Sequence, residues 1–507
     1  MRFLLLAAML IAALPAGARA QASPYIPLDH PLLPLAEYLI NRGDIEDPSP
    51  MIRPFRRSDL LRVITDAKLD TATAPGRVAL TLTRAFTDRS EDAWWRVAPR
   101  AGVEAFSWGR RDPLRPAGSG GARPYVDATF EGRFGPLVLA TRPAWENRLK
   151  LDPDWRGRDI QQTKSAAYRF IEGYISAQFK WARLFYGQMP RNWGPAEVDG
   201  LGIAGYAYPR SDIGFDVMLH DLQLNVVGTE ISSMTDSSGA AIHRYFVAHR
   251  LNLRVKHNLN LAIWETGVLA GKNGSFDPYF RNPLVLMSFP LQFGLADNRN
   301  TIIGGDFEWR PRRGLLIQAQ AMIDDMLRHK ADPNGTGEPS HPGRFAGSLA
   351  VAGRLGGRAM WRGTFQLVNS LAYQTIKQEE RFIDNGLGIG PSFVDYYKAA
   401  LSVSVPVGNR WLVAPELALL RQGQGTIDAP FPSGQAYADT PELFIGTVET
   451  TRRLGVKATG SYRGVSLQGS TGLNLLRNAD HVPGRNDHRF EAHLLLSIGA
   501  DFRGALK

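Results

Sequence analysis

Apolar and polar positions alternate along most of this chain, in runs separated by connections of two very different lengths. In Arg250–Lys256, Leu251, Leu253 and Val255 point one way while Arg250, Asn252, Arg254 and Lys256 point the other. Successive side chains of a strand face opposite sides, so the run predicts a two-faced β-strand. His257-Asn258 is a short polar turn, after which Leu259, Leu261 and Ile263 resume the apolar face. The long segment Gly271–Asn300 leads to Thr301–Arg310, where Ile303, Phe307 and Trp309 oppose Asp306, Glu308 and Arg310. A tight turn at Pro311–Gly314 follows, then Leu315, Ile317, Ala319, Ala321 and Ile323 oppose Gln318, Gln320 and Asp324. Further on, Val407-Gly408-Asn409 joins Tyr397–Val405 to Trp411–Arg421, and Arg463-Gly464 joins Pro441–Tyr462 to Val465–Leu476. The last run, His488–Phe502, places Phe490, Leu494, Leu496, Ile498 and Phe502 on one face.

Hairpins that alternate tight turns with long loops are the pattern of a bacterial outer-membrane barrel, short turns in the periplasm and long loops outside. Counting runs from Val97 onward predicts about 18 strands, an even number as single-chain barrels require. They fall near 100–109, 124–134, 137–149, 168–179, 182–190, 211–219, 222–231, 243–256 and 259–269 in the first half. The second half supplies 301–310, 315–325, 346–354, 359–369, 395–405, 411–421, 442–462, 465–476 and 489–502. The expected fold is therefore all-β, a transmembrane antiparallel barrel preceded by a small α-helical domain. A barrel this wide holds either a water channel or a plug, and alternation does not say which.

Residues 21–98 carry a different period. Pro31–Asn41 contains Leu32, Leu33, Leu35, Ala36, Leu39 and Ile40, a short amphipathic helix ending near Gly43. Arg56–Ala67, with Leu60, Leu61, Val63 and Ile64, predicts a second helix with Ser58 as its N-cap, and Val78–Asp88 a third. This region is expected to be a periplasmic helical domain, or equally a plug or lid for the periplasmic mouth. Met1–Ala20 reads as a secretory signal: Arg2, the apolar Phe3–Leu14, and the small-residue site Ala18-Arg19-Ala20. The expected organisation is thus a signal over 1–20, helices over 21–98 and an outer-membrane barrel over 99–507.

Composition alters this picture little. There is no cysteine, so an exported chain of this size would rest on a closed hydrogen-bonded barrel instead of disulfides. The formal charge of +10 becomes +8 without Arg2 and Arg19, from 57 basic and 49 acidic residues. The basic residues are dispersed, with no basic-aromatic nucleic-acid motif. They suit the lumen and rim of a barrel, or attraction for acidic glycans and lipid headgroups.

Two stretches resemble a known family. "YGQMPRNWGPAEVDGLGIAGYAYPR", Tyr186–Arg210, is similar to the G-R-x-x-x-x-W-G-P-G strand end of capsule-assembly Wzi-family outer-membrane proteins. "RNPLVLMSFPLQFGLADNRNTIIGGDFEWRPRRGLLIQAQAMIDDM" resembles the same family through Asn298–Asn300, Phe307–Trp309 and Ile323-Asp324-Asp325. Gln188 stands where the motif has Arg, and Ala196 where it has its second Gly. Arg503–Lys507 continues past Phe502, where such barrels finish on an aromatic residue. The resemblance implies a lectin-like, non-enzymatic role in binding or organising capsular or extracellular polysaccharide.

Candidate ligand residues follow from stacking and charge. Arg191, Trp193, Tyr206, Tyr208 and Arg210 lie in or beside one expected external loop, where aromatic faces stack on sugars and Arg forks onto carboxylates. The alternative is that Trp193-Gly194-Pro195 is a turn packed inside the barrel and the tyrosines belong to an interfacial girdle. Tyr279 and Arg281 sit in the aromatic-rich segment Gly271–Asn300, which is expected to fold into the lumen or over the mouth, and Asn298 and Asn300 follow as glycan contacts or loop anchors. Asp324-Asp325 resembles an acid-base pair, but adjacent strand residues face opposite sides and cannot converge. His243 and His249 stand about 20 Å apart along a strand, too far for one metal. No cofactor, metal or nucleic acid is expected; the partners would be surface polysaccharide and outer-membrane lipids, and the state a monomer. A diffusion channel is the first alternative, and an outer-membrane lipid enzyme with a wall-mounted Ser, His and Asn or Asp is the second.

Overall fold

The computed structural model describes residues 22–107, 120–147, 149, 168–205, 209–271, 299–325 and 342–506. The expected signal segment 1–20 and most of Gly271–Asn300 lie outside the described residues. The chain forms a closed, wholly antiparallel barrel of 18 strands, from Ala93–Phe106 round to a final strand that pairs back onto the first. That final strand comes in two pieces: Asn486–Gly499 pairs with Arg100–Phe106, and Phe502–Ala505 with Trp94–Val97. The residues beyond Phe502 thus extend the closing strand. Every expected strand is present, with end shifts that follow from pairing. The strands of the fourth hairpin run on to Thr235 and from Ala241, leaving only a five-residue turn, and the strand expected from 442 begins at Glu449.

The two faces separate as the alternation requires. Leu251, Leu253, Leu261, Leu417, Leu454, Phe490, Leu494 and Ile498 stand exposed on the outside. Their neighbours Arg250, Asn252, Asp306, Glu308, Gln318 and Gln320 are buried inside. An apolar band outside and polar groups inside are what a barrel in lipid needs, and they indicate an outer-membrane location.

Residues 22–86 fold into three helices at the short-turn end. α1, Leu33–Asn41, has Pro34 in its first turn. The expected amphipathic stripe is instead buried nearly all round: Leu33, Leu35, Leu39 and Ile40 pack in one cluster, which Met360 and Leu412 of the barrel wall complete. Even Glu37 is buried, because Arg53 neutralises it at 2.6 Å. α2, Arg57–Ala67, starts at an extended Arg56 without a side-chain cap. Ser58, expected as the cap, falls within the first turn; Arg56 donates instead to Asp59 at 2.7 Å. α3, Ala74–Phe86, is capped by Thr73, whose hydroxyl accepts from Gly76 N at 3.2 Å. The short turns bind this bundle directly: Arg42 donates to Ala359 O at 2.7 Å, Arg310 to Ile40 O at 2.9 Å and Asn409 to Thr81 Oγ1 at 2.8 Å.

Candidate functional site

The described part of the segment between Gln188 and Ser211, residues 189–205, does not arch away from the barrel. It turns inward. Asn192 builds the turn: its amide donates to Pro195 O and Val198 O at 3.3 and 3.0 Å, while its Oδ1 accepts from Gly200 N at 2.8 Å. The close return needs glycine, since a Cβ on Gly194 would meet Gly200 Cα at 2.8 Å. Asn192-Trp193 then pairs with Ile52-Arg53, which arrives from the opposite end of the barrel.

Irregular backbone inside a barrel must find hydrogen-bond partners, and the inward polar wall supplies them. Gln320 donates to Trp193 O at 2.9 Å and accepts from Leu201 N at 2.8 Å. Asp306 accepts from the Gln320 side-chain amide at 2.8 Å, and also from Trp264 Nε1 at 2.8 Å and Arg250 Nε at 2.9 Å. Arg362 donates to Ala196 O. A second loop, 369–395, folds in beside the first. Tyr373 N donates to Asp324 at 2.9 Å, and its hydroxyl to Leu201 O at 2.8 Å. Arg244 holds the same loop through Glu379 O and Arg381 O at 2.6 and 2.7 Å. Trp193, Leu201, Phe246, Trp264, Tyr373 and Phe382 form one buried cluster in the middle of the barrel.

The candidate residues separate accordingly. Trp193 is 2 % exposed, which leaves no ring face for a sugar at the surface; it is a core residue of the inserted loop. Arg191 pairs with Asp212 at 3.1 Å and stacks over Phe185 at 4.3 Å, and Arg210 lines the same small crevice. Asn300 is half-buried on the first residues of the strand Arg299–Arg312. Tyr206, Tyr208, Tyr279, Arg281 and Asn298 lie outside the described residues. Asp324 is an anchor for the inserted loop, and His243 and His249 each sit on a separate glutamate, at 3.0 and 3.3 Å. Among the described residues no three His, Asp or Glu converge as metal ligands.

Two features were not singled out from the sequence. A cavity of about 180 Å³ lies between the inserted loop and the wall, lined by Glu197, Arg362, Lys398, Glu416 and Lys457. Lys457 bridges Glu416 and Glu197 there, at 2.8 and 3.4 Å. Lys457 lies beyond Leu454 and Glu416 beside Leu417, so strand alternation placed their charges inside. At the long-loop end, Phe431 and Tyr437 form a ring pair 5.0 Å apart and tilted by 54°, over the Arg344 guanidinium at 5.6 Å from Phe431. They belong to the loop 423–448, which Asp395 ties down by accepting from Gly425 N and Ile445 N at 2.9 Å. Burial raises the Asp395 carboxyl above its ordinary value, against the lowering effect of those backbone donors.

No protein-family model matches the chain, and no curated protein matches it in sequence. Among solved structures, the fold is similar to Escherichia coli Wzi, described as an outer-membrane, carbohydrate-binding β-barrel involved in group 1 capsule assembly. The likeness has a TM-score of 0.64 at 15 % identity, over 94 % of this chain and 99 % of that one. Pseudomonas aeruginosa OprD gives 0.43 at 11 % identity over 82 % of this chain and 96 % of that one. Acinetobacter baumannii OccAB1 gives 0.45 at 12 % identity, over 81 % and 97 %. These last two scores are too low to establish a shared arrangement. What the chain shares with the first is its fold, an outer-membrane-type barrel of 18 strands.

Proposed function

We propose that this protein is a non-enzymatic outer-membrane barrel that binds surface polysaccharide, capsular or extracellular, at its long-loop face. The observation that carries the reading is the occupied lumen. Two loops from one end and a segment from the other meet and hydrogen-bond inside the wall, as the Trp193–Ile52 pairing and the Tyr373–Leu201 bond record. Among the described residues, this filling supports a role at the loops over one in diffusion. The likeness to a barrel described as carbohydrate-binding supports the same reading.

Stacking on Phe431 and Tyr437 would supply affinity, since a sugar's C–H face packs on aromatic rings. Cells lacking the protein are complemented with wild type or with Phe431→Ala/Tyr437→Ala, and attached and shed polysaccharide are measured. Wild type is expected to restore retention, and the double variant to lose most of it while its barrel stays heat-modifiable. Equal retention with and without the protein, or a stable large conductance from the wild type in planar bilayers, would overturn the proposal.

A further inference from the structure

A second site lies at the opposite end. A cavity of about 540 Å³ opens between the helical bundle and the barrel seam, at the short-turn end. That volume is in the range of small-ligand sites, about 300–1,000 Å³. Its lining is unusual in charge: seven arginines face four carboxylates, and with Asp88, which pairs with Arg57 from just outside at 3.1 Å, an excess of two positive charges remains.

The carboxylates hold part of this set rigid. Arg96 is fixed by Glu131 and Asp501, each at 3.0 Å, and Arg100 by Asp127 at 2.5 Å. Arg142 is fixed by Asp127 and Asp29, at 3.0 and 2.7 Å. Ordering costs are therefore met before any ligand arrives. Arg84 of α3 and Arg463 of the turn are different: both are exposed and make no ion pair among the described residues. The one aromatic ring among the described lining residues, His30, reports the same field. Although part of it stays open, burial and the charges of Arg57, Arg96 and Arg100 hold it neutral, down to about 3.

We propose that this cavity binds a phosphate or diphosphate group presented from the short-turn side, with Arg84 and Arg463 as its free donors. Guanidinium forks match phosphate oxygens two at a time. A lone carboxylate would leave one positive charge uncompensated, whereas a phosphate ester carries about two negative charges and matches the excess. This inference stands apart from glycan binding at the other end.

The test is calorimetric titration of the full chain in neutral detergent with sodium pyrophosphate at low salt. Binding is expected, weakened at least tenfold in Arg84→Gln/Arg463→Gln. The control Arg312→Gln/Arg313→Gln removes the same charge at another short turn, outside the cavity, and is expected to bind within twofold of wild type. No binding by wild type, or equal losses in both double variants, would overturn the site, the latter because only general charge would be at work. Phosphatidic acid added to the micelles identifies the source. Displacement of pyrophosphate by it supports a lipid phosphate at this site, and its absence supports a soluble one.

Discussion

Ile52 and Trp193 stand opposite each other in a two-residue antiparallel pair, although one enters the barrel from the short-turn end and the other from the long-loop end. The pair is where the plug closes. Trp193 is also tied to the wall, where Gln320 donates to its carbonyl at 2.9 Å.

Trp193→Ala should therefore loosen the plug while leaving the barrel. Removing a buried indole costs about 3–5 kcal/mol, part transfer and part cavity. The wild type is expected to be silent in planar bilayers and the variant to show channel openings, with heat-modifiability retained. A silent variant would place the seal elsewhere.

Arg53 is forked onto Glu37 at 2.6 Å and Asp47 at 2.9 Å, with all three side chains buried. Arg53→Met leaves two uncompensated carboxylates and should cost about 3–5 kcal/mol. Replacing the triad together, as Arg53→Met/Glu37→Gln/Asp47→Asn, should recover part of that loss. Urea unfolding from detergent micelles measures both, and identical losses would show that the charges are not the cause.

Gly304 lies opposite Trp264, and a Cβ there would meet Trp264 Cζ2 at 2.2 Å. Trp264 cannot swing away, because its Nε1 is bonded to Asp306 and its ring packs in the core. Gly304→Ala should cost about 1–3 kcal/mol by overpacking. Gly363→Ala, where a Cβ meets nothing within 4 Å, should be nearly neutral in the same measurement.

Asp59 responds to pH. Burial would raise its carboxyl, but the charges of Arg183 and Arg56 outweigh burial and hold it below its ordinary value. A depressed folded value means the contact stabilises above the ordinary aspartate range, about 3.9, and is lost as pH falls below it. Protection factors of the α2 amides, taken relative to intrinsic exchange at each pH, should thus fall in acid. Asp59→Asn should already have lower protection factors at neutral pH, and these should change less on acidification.

The barrel was legible because its physics is local. Leu251, Leu253 and Val255 against Arg250 and Asn252 specify a strand with a lipid side and a lumen side, whatever happens elsewhere. Short turns such as Arg463-Gly464 mark one end by their length alone. The helices were legible in period but not in environment: α1 carries enough apolar residues for a stripe, yet the lumen buries its other faces as well. Ser58 looked like a cap because only its residue type is visible in a sequence, whereas the helix begins two residues earlier than such a cap requires, with Arg56 at the N-cap.

The sequence by itself determined the two-faced strands, their number and the polarity of turns and loops, since a period of two is written in neighbouring residues. Only the tertiary structure decided what fills the lumen. Ile52 and Trp193 are far apart in the chain, and so are Leu201 and Tyr373. Their pairing depends on which backbone groups lack partners once the wall has closed. The arginine cavity arises for the same reason: Arg84, Arg463 and Asp501 carry no local pattern, and the barrel seam brings them together.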